Sequence, residues 1–279
     1  MRIDAHHHLW DLQVRDQPWA HGLPRLHRSF TPFELRPLLE HNAVDATVVV
    51  QTLAVTEETP ELLALAAGDS QLKAVVGWTD LTDPAVADRL SGLRDAPGGA
   101  ALVGIRHGIQ DEPVSDWTSR DDVRRGLRAV AAAGLAYDLL VRPDQLSDAV
   151  RTAHELPDVR FVLDHAGNPL IDKEGLDTWT AEMRDLAACT NVAVKLSGLV
   201  TRTPPGGDPV RTLRPYADVL WSTVGPDRVM FGSDWPVCLL AAGYDDVLAV
   251  AEALSEGLSD AERDAVFGTT AAHWYGIPA

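Results

Sequence analysis

Residues 2–8, Arg2-Ile3-Asp4-Ala5-His6-His7-His8, form a short apolar run that ends in three histidines. Side chains alternate across an extended chain, so His6 and His8 share a face and His7 takes the other. Seven further runs of this kind follow, at 46–53, 73–78, 101–107, 136–141, 160–165, 191–196 and 228–233. They are rich in Val, Ile and Leu without strict alternation, the pattern of strands covered on both faces in a parallel sheet.

The segments between them read as helices. Thr31-Pro32, Thr59-Pro60 and Asp83-Pro84 each set a capping residue before a proline suited to a first helical turn. Ser119 precedes a helical pattern over 120–133, Gly134 stands where a helix C-terminus favours positive φ, and 259–262 fits a capping box. Pro204-Pro205-Gly206-Gly207 reads as a loop after the seventh strand. Eight strand–helix units predict an α/β protein, a closed (β/α)8 TIM barrel in a single domain over 1–279. A doubly wound open sheet is the alternative, but such sheets often carry a glycine fingerprint after the first strand, where this chain has histidines.

Composition narrows the partners. The 279 residues carry 24 Lys and Arg against 41 Asp and Glu, a formal charge of −17, so no nucleic acid or anionic membrane is expected as a partner. No uncharged apolar run approaches the roughly 18 residues needed to cross a bilayer. The first residues carry no basic and apolar leader, and Cys189 and Cys238 read as reduced thiols, so a cytoplasmic location is expected. Nothing in the sequence sets an oligomeric state.

In a barrel the C-terminal ends of the strands build the site. Those ends are Asp4 to Trp10, Gly104 to His107, Asp164 to Asn168, Lys195 to Gly198 and Gly232 to Pro236. His6, His8, His165 and Asp234 therefore converge from three strand ends, and two imidazoles on one face are what a metal site requires. A polar barrel rim would need no such convergence. Arg106, His107 and Lys195 are candidates for substrate or oxyanion contacts. Gln51 is a candidate for a sugar hydroxyl, and Trp10, Trp78 and Trp235 for stacking on a sugar face. Alternation turns only one of Tyr137 and Asp138 inward. Trp179, Trp221, Trp274, His154 and His273 lie in helical segments and read as packing or surface residues.

Four strings, Asp4-Ala5-His6-His7-His8-Leu9-Trp10, Phe161-Val162-Leu163-Asp164-His165-Ala166-Gly167, Val194-Lys195-Leu196-Ser197-Gly198-Leu199 and Phe231-Gly232-Ser233-Asp234-Trp235-Pro236, together resemble the amidohydrolase superfamily. They are most similar to its sugar-lactonase branch, with L-fuconolactonases, L-rhamnonolactonases and 2-pyrone-4,6-dicarboxylate lactonases. The resemblance implies a (β/α)8 barrel and lactone hydrolysis, a carboxylic ester hydrolase activity of carbohydrate metabolism. It also implies Asp234 as the base that activates water, with His6, His8 and His165 polarising the carbonyl. They would do so directly or through one divalent ion, zinc first, held by His6, His8, His165 and Asp234. Strand five ends Tyr137-Asp138-Leu139-Leu140 without a histidine, which speaks against a two-metal centre and against the decarboxylases of the superfamily. A catalytically silent barrel that binds a sugar acid is the third reading. Specificity is expected in the loops at 11–30, 110–119 and 200–208, and the scarcity of basic residues besides Arg106 favours a neutral aldonolactone as the small-molecule substrate.

Overall fold

The structure is a computed structural model that describes residues 1–171 and 173–278. Eight parallel strands stand in chain order: β1 (Ile3–His7), β2 (Ala46–Val50), β3 (Leu72–Gly77), β4 (Leu102–Gly108), β5 (Ala136–Leu140), β6 (Arg160–Leu163), β7 (Val192–Leu196) and β8 (Val229–Phe231). The helices that return the chain are α1 (Pro32–His41), α2 (Glu58–Gly68), α3 (Val86–Asp95), α4 (Asp121–Ala132), α5 (Leu146–Glu155), α6 (Lys173–Ala187), α7 (Pro209–Val219) and α8 (Tyr244–Leu254). Two short helices, α9 (Asp260–Asp264) and α10 (Thr270–Tyr275), close the chain. This is the single-domain TIM barrel expected from the eight apolar runs.

Apolar side chains fill two layers. The larger lies between sheet and helices, with Val49, Ile105, Phe161 and Phe231 among the buried strand residues that meet it. The smaller fills the barrel interior with Val48, Val50, Val76, Val162 and Met230, floored by Trp274 and Tyr275 of α10. Trp274 is thus a packing residue, as its helical position implied.

Two local features aim the histidines. Along β1, Asp4 pairs with Thr47 and His7 with Val49, so three steps of one strand match two of the other. Such a bulge breaks the alternation. Asp4 and His7 both turn to the outer layer, while His6 keeps the inward face. The second feature is the join between the first and last strands. His8 N–H donates to the Trp235 carbonyl at 2.7 Å and Asp234 N–H to the His6 carbonyl at 2.8 Å. Asp4 accepts from the Ser233 N–H at 2.9 Å and hydroxyl at 2.6 Å.

Helix boundaries follow the sequence signals unevenly. Thr31 holds the N-cap position of α1 without a side-chain capping bond, Ser259 makes its capping box with Glu262, and Gly134 has φ +71°. Thr59 lies inside α2 instead, where its hydroxyl donates to the Trp78 carbonyl at 3.0 Å, and α3 begins three residues beyond Asp83. Arg120 rather than Ser119 precedes α4. Among the described residues no helix is long and apolar enough to cross a membrane, and both cysteines are free and buried.

Candidate active site

His6, His8 and Asp234 meet at the barrel mouth. The Nε2 atoms of the two imidazoles are 3.2 Å apart, and Asp234 Oδ1 lies 3.7 Å from His6 Nε2 and 3.5 Å from His8 Nε2. Ligands at about 2.0–2.1 Å around a tetrahedral zinc stand about 3.3 Å from one another, so this triangle has the dimensions of three such ligands. The other ring nitrogens set the orientation. His8 Nδ1–H donates to the Val50 carbonyl at 2.7 Å, and His6 Nδ1 faces Asp164 Oδ1 at 3.3 Å and Lys195 Nζ at 3.1 Å. Burial holds both imidazoles neutral, His6 well below its ordinary pKa and His8 at about 3, which leaves the inward nitrogens free to act as ligands.

His165 sits beside this triangle. Its ring is 4.6 Å from that of His6, its Nδ1 is 2.8 Å from Ser197 Oγ, and it groups with His6 and Asp164 instead. His165 and Asp234 both hold left-handed backbone, φ +53° and +55°, a conformation that costs a non-glycine residue about 1–3 kcal/mol and clusters at functional sites. Gly198 gives them room: a Cβ there would stand 2.6 Å from His165 Nδ1 and 3.2 Å from Asp234 Oδ2.

Below the mouth runs a buried ionic column. Lys195 Nζ lies 2.6 Å from Asp138 Oδ2 and 3.0 Å from Asp164 Oδ1, and the Tyr275 hydroxyl donates to Asp138 at 2.7 Å. Arg106 Nη1 contacts Asp164 Oδ2 at 3.1 Å, its Nη2 donates to the Gln51 carbonyl, and its Nη1 comes within 3.5 Å of His6 Nε2. Burial would raise the Asp164 carboxyl, but Lys195, His6 and Arg106 outweigh it and hold it well below the usual range. Asp138 shares only Lys195 and is pushed up to about 6 by burial. Burial likewise raises Asp234, against the pull of His165 and Arg106.

Residues 3–277 match the amidohydrolase family across nearly the whole chain. The chain belongs to the amidohydrolase family. Two relatives are curated as L-fucono-1,5-lactonases: one from Burkholderia multivorans, 41% identical over 100% of this chain and 97% of its own, and one from Burkholderia ambifaria, 39% identical over 99% and 96%. A crystal structure of an amidohydrolase from Burkholderia multivorans with bound zinc superposes with a TM-score of 0.94 at 40% identity, covering 100% of both chains.

A cavity of about 640 Å³ opens over the triangle in this amidohydrolase. His8, His165, Asp234, Arg106, His107 and Gln51 all line it. His6, Lys195, Trp10, Trp78 and Trp235, all singled out from the sequence, do not. Lys195 lies beneath, fully buried in the ionic column. Trp235 packs edge-on against Phe30, and Trp10 packs behind Trp19 with its indole N–H on the Arg28 carbonyl at 2.6 Å. Trp78 donates to His107 Nδ1 at 3.0 Å. The tryptophan that faces the cavity is Trp19, with 38% of its surface exposed.

Asp164, Glu112 and Arg202 also belong to the site and were not singled out from the sequence. Asp164 adjoins His165 at a strand end, which is a readable signal. Glu112 and Arg202 come from the loops marked for specificity, and only the fold shows that they line the cavity. Arg202 reaches it from beyond β7, donating to Asn168 Oδ1 at 2.5 Å.

Proposed function

We propose that this amidohydrolase opens the ring of a neutral sugar lactone by adding water, with a substrate of the L-fucono-1,5-lactone type. The observation that carries this reading is the His6–His8–Asp234 triangle, whose His8 and Asp234 line one cavity together with Arg106 while His6 closes it from beneath. The 41% identity to a curated L-fucono-1,5-lactonase supports the substrate class.

Asp234 is the base. Its buried carboxylate accepts a hydrogen bond from water and takes its proton as the oxygen attacks the lactone carbonyl. Arg106 stands where negative charge develops on the carbonyl oxygen, and His165, its Nδ1 paired with Ser197 Oγ at 2.8 Å, is a second donor in the tautomer that carries its hydrogen on Nε2. When the tetrahedral species collapses, the ring carbon–oxygen bond breaks and protonated Asp234 returns its proton to the departing oxygen. His6, His8 and Asp234 fit one divalent ion, zinc first, which would supply Lewis-acid polarisation of the carbonyl and a water of lowered pKa. In the strand-five position Asp138 is committed to Lys195, consistent with a single-metal site. Lys195 acts through Asp164 and His6 rather than on substrate. We also infer a cytoplasmic location, in keeping with the two free thiols.

The test is a panel of aldonolactones assayed by acid release, with the wild type and Asp234→Asn side by side. Turnover of a fuconolactone-type substrate that collapses in the variant supports the reading. Full activity in Asp234→Asn removes the base assignment, and turnover of no lactone removes the function.

A further inference from the structure

We propose that Glu112 is the acceptor through which the cavity recognises the hydroxyl groups of its substrate, and that His107 serves to hold it there. The proposal rests on the lactone reading for the identity of the ligand and on the following geometry for the role of the residue. An indole N–H can only donate, so the 3.0 Å contact from Trp78 makes His107 Nδ1 an acceptor. The neutral ring then carries its hydrogen on Nε2, which donates to Glu112 Oε1 at 2.8 Å. Both nitrogens of His107 are thereby used, and none is left for a substrate. The ring is also stacked on Trp117, 4.4 Å between centroids and 7° from parallel.

The backbone of the Glu112 turn is pinned from behind. Gln145 Nε2 donates to the Ile109 carbonyl at 2.9 Å, and Arg142 Nη1 donates to the carbonyls of Gln110 and of Glu112, the latter at 3.2 Å. A carboxylate held from both side chain and backbone is preorganised. Its second oxygen, Oε2, has no hydrogen-bond partner among the described residues, and Glu112 lines the cavity. Gln51 Oε1, buried in the same cavity wall, also lacks a partner. Two acceptors in want of donors suit a polyol and repel a carboxylate.

The experiment pairs a hydroxylated aldonolactone with unsubstituted δ-valerolactone, and a hydroxylated sugar δ-lactam with δ-valerolactam as non-hydrolysed probes for calorimetry. In Glu112→Gln, which turns the acceptor into a donor, KM for the aldonolactone should rise about 10- to 100-fold with kcat within about threefold, while δ-valerolactone is barely affected. The calorimetric preference for the hydroxylated lactam should fall by a similar factor. His107→Gln, which keeps a donor where Nε2 stood, should retain the preference, and His107→Phe, which keeps only the stack, should lose part of it. Equal losses on both lactones, or no loss on the hydroxylated one, overturn the proposal. If the wild type hydrolyses no lactone, the proposed function falls, and the lactam preference still decides the role of Glu112: lost in the variant it stands, unchanged it fails.

Discussion

Asp234 combines burial, a left-handed backbone and a position between two imidazoles, and each property shapes what a substitution does. Asparagine tolerates positive φ better than most residues with a side chain, so Asp234→Asn should keep its circular dichroism spectrum while kcat drops by at least about 100-fold, as expected for loss of a general base. Arg106→Met should lower kcat/KM by about 100- to 1000-fold, the range for removing a donor at a developing oxyanion. It should also destabilise the fold in urea, because Asp164 then has only Lys195 and His6 against its burial. His6, His8, His165 and Asp234 were legible from the chain because each ends a strand, where a barrel gathers its chemistry. The partners of Lys195 were not, since Asp138 and Asp164 meet it only once β5, β6 and β7 curve round a common axis. Tryptophans misled for a related reason: an aromatic at a strand end can face cavity or core, and Trp10 and Trp235 chose the core.

At the scale of elements, the eight strands and their order could be read to within three residues at each end, because buried parallel strands are continuous apolar runs. The bulge in β1 could not, since it shows only in pairing. Simple alternation would place Asp4 beside His6, whereas the bulge sends it outward to Ser233 and to the Tyr244 hydroxyl at 3.1 Å. There burial raises its carboxyl to about 6, despite the hydrogen bonds from Ser233. A carboxyl that holds its proton more tightly in the folded state stabilises the fold below its unfolded pKa of 3.8, and that contribution is lost as pH rises to about 6. Urea titrations across that window should show a downward slope in stability with pH that Asp4→Asn flattens. The amide suits the site, because Oδ1 faces two backbone N–H groups and Oδ2 two rotatable hydroxyls. Gly232→Ala should do the opposite. Its Cβ would stand 2.6 Å from that of His6, so both thermal midpoint and turnover should fall.

Across the whole molecule, the triangle joins the first strand to the last. A divalent ion bound by the folded barrel and not by the unfolded chain raises stability by mass action, so added zinc should lift the thermal midpoint of chelator-treated protein, and His8→Ala should abolish the lift. The contacts that bring Asp234 to His6 and His8 are the same ones that seal β1 against β8, between residues some 229 positions apart. Closing so long a loop carries a large entropic cost, and the proposed centre is not assembled until it is met. A ribosome-bound chain that has not yet released Asp234 therefore lacks the proposed base. On the proposed mechanism, competence arrives in one step with the final strand, and a half-made enzyme does not turn over metabolites before it is finished.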